Sequence, residues 1–131
     1  MTLTAPAAMR CAGVASRRDR THDDGNGRIY GETDGPGQYD SDRMEWRVGR
    51  EVRQLAEYWI VAVDGTVRRV YRIDRKSWHE VSPGYWEFRA VGDRELTDAE
   101  IAAAYAAGDL PLRPGDACPT RAGGAYRPYW F

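Results

Sequence analysis

The sequence predicts an α+β fold, a small mixed sheet with two short helices. Three observations carry that prediction. Residues 59–73 hold an apolar run, an Asp64-Gly65 pair and a second run, the pattern of a β-hairpin. Residues 85–91 alternate, with Trp86, Phe88 and Ala90 on one side and Glu87 and Arg89 on the other, as in a half-buried strand. Residues 97–108 open on Thr97, complete an S/T-x-x-E capping box with Glu100 and close on Gly108, with Pro111 beyond, which is a capped helix.

Each element follows in order. Residues 1–40 are rich in Gly, Asp and Arg and poor in large aliphatics. Such a stretch buries too little apolar surface to offset its ordering entropy, so an irregular or disordered leader is expected there, with Ile29 and Tyr30 as a docking arm. The folded domain is expected at 41–131. Met44, Trp46 and Val48 alternate as a short strand. Val52, Leu55, Ala56 and Trp59 fall at helical spacing, which places a helix over 50–58. Residues 59–63 are apolar throughout, as in a strand covered on both faces. A two-residue turn at Asp64-Gly65 sets Val63 against Thr66, Val61 against Arg68, Trp59 against Val70 and Glu57 against Arg72. Ile60 then faces Arg69 and Tyr58 faces Tyr71, so Arg68 and Arg72 share Trp59's side. Ser82-Pro83-Gly84 is a turn. In the second helix Ile101, Ala104 and Tyr105 form the inward stripe. Residues 113–117 turn, and 125–131 read as a final strand whose Trp130 and Phe131 pack inward.

Composition excludes several classes. With 131 residues the chain is one domain. A net charge of −1 provides no global field toward nucleic acid or membrane, so any such affinity is local. No apolar run is long enough to span a bilayer, and the amino terminus lacks a basic start, so an untargeted cytoplasmic protein is expected. Cys11 and Cys118 are read as two thiols rather than a disulfide. His22-Asp23-Asp24 and His79-Glu80 are the only dense ligand runs and lack zinc or calcium spacing, so neither a metal nor a cofactor is expected.

The chain resembles the PUA-like superfamily, the small pseudo-barrels that include PUA, ASCH, EVE and YTH domains. The resemblance runs through a short helix entering "AEYWIVAVDGTVRRVYRI", then Trp78, then "GYWEFRAVG", a helix and "GGAYRPYWF". It is similar to a "W-x-F-x-G" strand at Gly84–Gly92 and a terminal "G-A-x-N-P-x-x-Y" strand at Gly124–Trp130, over roughly the last two thirds of the chain. Ala125-Tyr126-Arg127-Pro128 stands where that strand carries Asn-Pro, so no residue here inherits the Asn's base contact. The resemblance implies a barrel-like sheet and recognition of RNA or modified bases.

Function is read from arginines beside aromatics. Lys76 is the only lysine, so nearly every cation is a planar fork that also stacks. Arg68, Arg69, Arg72, Arg75 and Lys76 are the candidate phosphate contacts, and Trp59, Trp78, Tyr85 and Trp86 the candidate stacking residues. The expected function is non-catalytic binding of RNA, single-stranded DNA or a modified nucleobase. Against it stand a solvated strand face, with Arg72 on Glu57 and Arg69 stacked on Tyr71, and a core role for Trp59 and Trp86. Trp78 is expected in a polar loop. Two alternatives belong to other classes. ASCH-like relatives include small hydrolases using Lys, Thr and a carboxylate, which the resemblance carries onto Lys76 and Glu87, with Thr66 distant. A protein-interaction subunit would dock the leader or the aromatic terminus on a partner.

Overall fold

A computed structural model of the chain describes residues 10–23, 25, 29–33, 35–119 and 126–131. Gly124 and Ala125, which open the terminal motif, and the first nine residues of the expected leader lie outside them. The fold is α+β. Strands β1 (Cys11–Arg17), β4 (Ala56–Val63), β5 (Thr66–Ser82), β6 (Tyr85–Ala90) and β7 (Arg127–Trp130) form one sheet in the order β6-β5-β4-β1-β7. Strands β2 (Thr21–Asp23) and β3 (Ile29–Gly31) form a separate pair. Helices α1 (Gln38–Arg43), α2 (Arg50–Leu55) and α3 (Asp98–Ala106) complete it. Each sheet ends in an edge strand, so the expected barrel-like sheet is open among the described residues.

The irregular leader does not hold for residues 11–17. β1 runs parallel to β4 and antiparallel to β7, buried in mid-sheet. Residues 11–16 are Cys, Ala, Gly, Val, Ala and Ser, and at Gly13 the neighbour is large. A Cβ at Gly13 would sit 2.6 Å from Cζ3 of Trp59, so the bulky ring of β4 fills the space a side chain would take. The strand is short and apolar, and it is masked when its composition is averaged with the Gly-, Asp- and Arg-rich residues that follow it. Helix α1 spans residues 38–43, so it begins within the expected leader and ends within the expected domain.

The hairpin forms as expected, with Asp64 (φ 50°) and Gly65 (φ 81°) both in the left-handed region. The register beyond it does not. A bulge at Arg68 sets Val61 against Arg69, Ile60 against Val70, Trp59 against Tyr71 and Tyr58 against Arg72. The reason is visible in Val67-Arg68-Arg69-Val70. Both valines belong to one core face, and residues three apart share a strand face only if one extra residue intervenes. Arg69, not Arg68, therefore shares Trp59's side, and Arg72 lies on the opposite side with Tyr58.

Two core layers flank the sheet. Trp59, Val61, Tyr71, Ile73 and Phe88 face α1 and α2, through Tyr39 and Val52. Tyr58, Ile60, Val67 and Val70 face α3 and the segment after it, through Ile101, Leu110 and Leu112. α2 ends at Leu55, not Tyr58, because the chain turns straight into β4 at Ala56. No strand forms over 44–48. Trp46 alone pairs with Trp86, through backbone bonds of 2.8 and 2.7 Å. α3 carries the full Thr97–Glu100 capping box, and Gly108 takes the positive φ its C-terminal end requires. Tyr105 turns outward beneath the Arg113 guanidinium at 4.1 Å rather than joining the inward stripe. At the carboxyl end Trp130 and Phe131 pack against opposite core layers. Among the described residues no helix is long and apolar enough to cross a membrane.

Candidate functional site

The arginines of the returning strand do not assemble into one groove. Arg69 enters a buried cluster of charges (its side chain is only 12% exposed). It donates to Glu32 at 2.9 and 2.5 Å and to Asp42 at 2.7 Å. Asp42 is fully buried and also accepts from Arg17, from Gln38 at 2.9 Å and from the Tyr71 hydroxyl at 2.6 Å. Burial with the charge of Asp42 beside it pushes the Tyr71 phenol up, so its hydroxyl stays a donor. Burial alone would raise the Glu32 carboxyl. The hydrogen bonds from Arg69 and the charges of Arg69, Arg17 and Arg68 outweigh it and hold Glu32 below its ordinary range. This network is architectural. It ties β1 through Arg17 and β5 through Arg69 to residues 32–42, and every charge in it has a partner. Arg68 reaches Glu32 of this network at 3.4 Å and also Asp19, outside it, at 3.5 Å. Neither pairing was legible locally, because Glu32 and Asp42 lie 37 and 27 residues from Arg69 in a segment of turn-like composition.

Arg72 is exposed on the other sheet face, opposite Tyr58. Glu57, its expected partner, instead bonds Arg10. Arg75 and Lys76 are exposed in an irregular step of β5 between Asp74 and His79. There Ser77 Oγ replaces a ladder partner, accepting from Arg89 N–H at 2.7 Å. Lys76 therefore lacks the desolvation that would make it a base or nucleophile. Glu87, its expected partner in the hydrolase alternative, is buried on His79 at 2.8 Å with Arg43 at 3.9 Å. Lys76 and Glu87 are not brought together.

The aromatic residues do converge. Trp59 is fully buried and forms the hub, with ring centroids of Trp46 at 5.1 Å, Phe88 at 5.6 Å, Tyr126 at 6.0 Å and Trp78 at 6.2 Å. It cannot itself stack on a base, which corrects that assignment. Trp78 lies in β5 rather than a polar loop, half-buried with its ring 5.0 Å from Phe88. Trp86 is half-buried against this cluster, and Tyr85, one residue earlier on β6, is exposed.

Sequence reasoning missed the cations that accompany these rings. The Arg53 guanidinium lies over Trp86 at 3.8 Å, and Arg47 over Tyr85 at 5.6 Å. Neither forms an ion pair among the described residues. A local signal existed in Trp46-Arg47 and Arg50–Arg53, where α2 brings Arg53 onto the side that meets β6. Two further groups stand out. The indole N–H groups of Trp59 and Trp78 are buried without a hydrogen-bond partner, as is Arg53 Nε. Buried donors in a folded protein are normally paired, so these three are exceptions in the interior of the cluster. The cluster can offer flat rings and forked cations.

No family model, no curated protein and no solved structure matches this chain.

Proposed function

We propose that this protein binds a single-stranded or modified nucleic acid without catalysing a reaction. A base stacks at the Trp78–Tyr85–Trp86 side of the aromatic cluster, and Arg47, Arg53, Arg75 and Lys76 contact phosphate. The observation that carries the reading is the pairing of half-exposed rings with guanidiniums that have no carboxylate partner among the described residues. A guanidinium already stacked on a ring is placed to sandwich a base or to swing onto its phosphate, and forked donors suit phosphate oxygens. The PUA-like resemblance of the sequence points to the same ligand class. Relative to the sequence expectation, Arg68 and Arg69 leave the site for the buried network, and Arg47 and Arg53 replace them.

The test is tryptophan fluorescence during titration with short single-stranded RNA and DNA at two salt concentrations. Quenching that weakens as salt rises is expected, because phosphate neutralisation releases counterions. Trp86→Ala should weaken binding by about 5- to 150-fold, since a stacked base contributes ~1–3 kcal/mol. Arg53→Ala should lower both affinity and salt dependence, whereas Arg113→Ala, on the outer side of α3, should leave both unchanged. No quenching by any oligonucleotide at low salt, or equal affinity in Trp86→Ala, would remove the reading.

A further inference from the structure

The sheet face opposite the aromatic cluster carries a cleft of about 380 Å³ that the proposed function does not use. Tyr58 of β4 and Arg72 of β5 line it from the sheet, and Ala103 and Ala104 of α3 from the helix. Gly92 and Leu96, from the connection between β6 and α3, close one side. Small residues at 92, 103 and 104 leave the space, and the ring of Tyr58 and the side chain of Leu96 make it partly apolar.

Its charges are unequal in status. Arg94 is held by Glu100 at 2.7 Å, and Asp109 by Arg10 at 2.7 Å. Arg94 and the Thr97 cap bring Glu100 down to about 2, so that carboxylate stays ionised and committed. Arg72 is the lining cation with no ion-pair partner among the described residues. Val70 supplies the packing on this face of β5, and Glu57, the expected partner of Arg72, is bound to Arg10 instead.

We propose that this cleft binds a small monocarboxylate with an apolar body, held by the Arg72 guanidinium. One unmatched fork matches one carboxylate through two parallel hydrogen bonds. The carboxylates of Glu100 and Asp109 in the same wall disfavour a phosphate dianion. The volume lies near the lower end of ~300–1,000 Å³ for ligand pockets, which suits one aromatic ring or a short branched chain. Burial keeps the Tyr58 phenol above its ordinary value, so its hydroxyl remains a donor beside Arg72. The site is on the far face of the sheet from the aromatic cluster, and it stands whether or not nucleic acid binds there.

The experiment is a nitrogen-15 amide-shift titration of the full chain with benzoate, isovalerate, benzamide and inorganic phosphate. Saturable shifts at Arg72, Gly92 and Ala103 are expected with a carboxylate and not with neutral benzamide. Arg72→Gln, an exposed change that leaves the core intact, should weaken carboxylate binding by about tenfold or more, as loss of a charge-assisted contact does. Ala103→Leu should fill the cleft and abolish saturation while the spectrum stays dispersed. The proposal is overturned by no saturable shift with either carboxylate up to its solubility limit. Equal binding of benzamide, unchanged affinity in Arg72→Gln, or binding of phosphate alone would overturn it equally.

Discussion

Asp42→Ala should lower the unfolding free energy by about 3–5 kcal/mol, because removing one partner of a buried ion pair strands the others. Asp42 has no exposed surface and accepts from Arg17, Gln38, Arg69 and Tyr71. Without it, two guanidiniums and a phenol lose their shared acceptor, and Glu32 is left to balance both arginines. Urea denaturation measures the change directly, through the midpoint at constant slope. The double variant Asp42→Leu, Arg69→Met should cost less than the sum of its single changes, since it removes charge from both sides of the same contact. Strict additivity would mean that the network is not a unit.

The same network predicts acid sensitivity with a definite sign. The folded state holds Glu32 below the ordinary glutamate range. Its contribution is therefore fully present above the unfolded value, about 4.3, and is lost as pH falls through the lower folded value. The urea midpoint should drop as pH is taken from about 5 toward 3, in the range where unfolded glutamates protonate first. Glu32→Gln should flatten that drop. A midpoint equally pH-dependent in the variant would assign the acid sensitivity to other carboxylates.

Trp59→Ala should destabilise by about 3–5 kcal/mol, the range for truncating a buried aromatic. The ring sits at the centre of the larger core layer, in contact distance of Trp46, Trp78, Phe88 and Tyr126. It also occupies the space over Gly13, so its loss opens a cavity between β1 and β4. Two stability curves separate the contributions. Trp59→Phe should recover part of the loss, and Trp59→Ala with Gly13→Val should recover more than Gly13→Val alone would suggest, because the added methyls enter the vacated volume. If Trp59→Ala unfolds at the same urea concentration as the parent, the ring is not the hub its contacts describe.

The local elements were legible where local chemistry sufficed. The α+β class, the Asp64-Gly65 hairpin, the Tyr85–Ala90 strand and the capped helix at 98–106 each follow from residues within a few positions of one another. Turn geometry and capping are satisfied by neighbours in sequence, so sequence alone determines them. The aromatic cluster was half legible. Trp78, Tyr85 and Trp86 were identifiable as a group, but Trp59 proved to be its buried hub, and Arg47 and Arg53 joined it only through the packing of 46–53 against β6.

What the tertiary structure decided is where each arginine points. One bulge at Arg68 moved Arg69 to one sheet face and Arg72 to the other, because a strand's sides exchange with every inserted residue. Glu32 and Asp42, remote in sequence, then claimed Arg69, while Glu57 went to Arg10 and left Arg72 to the cleft. The strand at 11–17 was hidden for a related reason. Gly13 leaves room for the Trp59 ring of β4, and that complementarity belongs to the pair of strands rather than to either one.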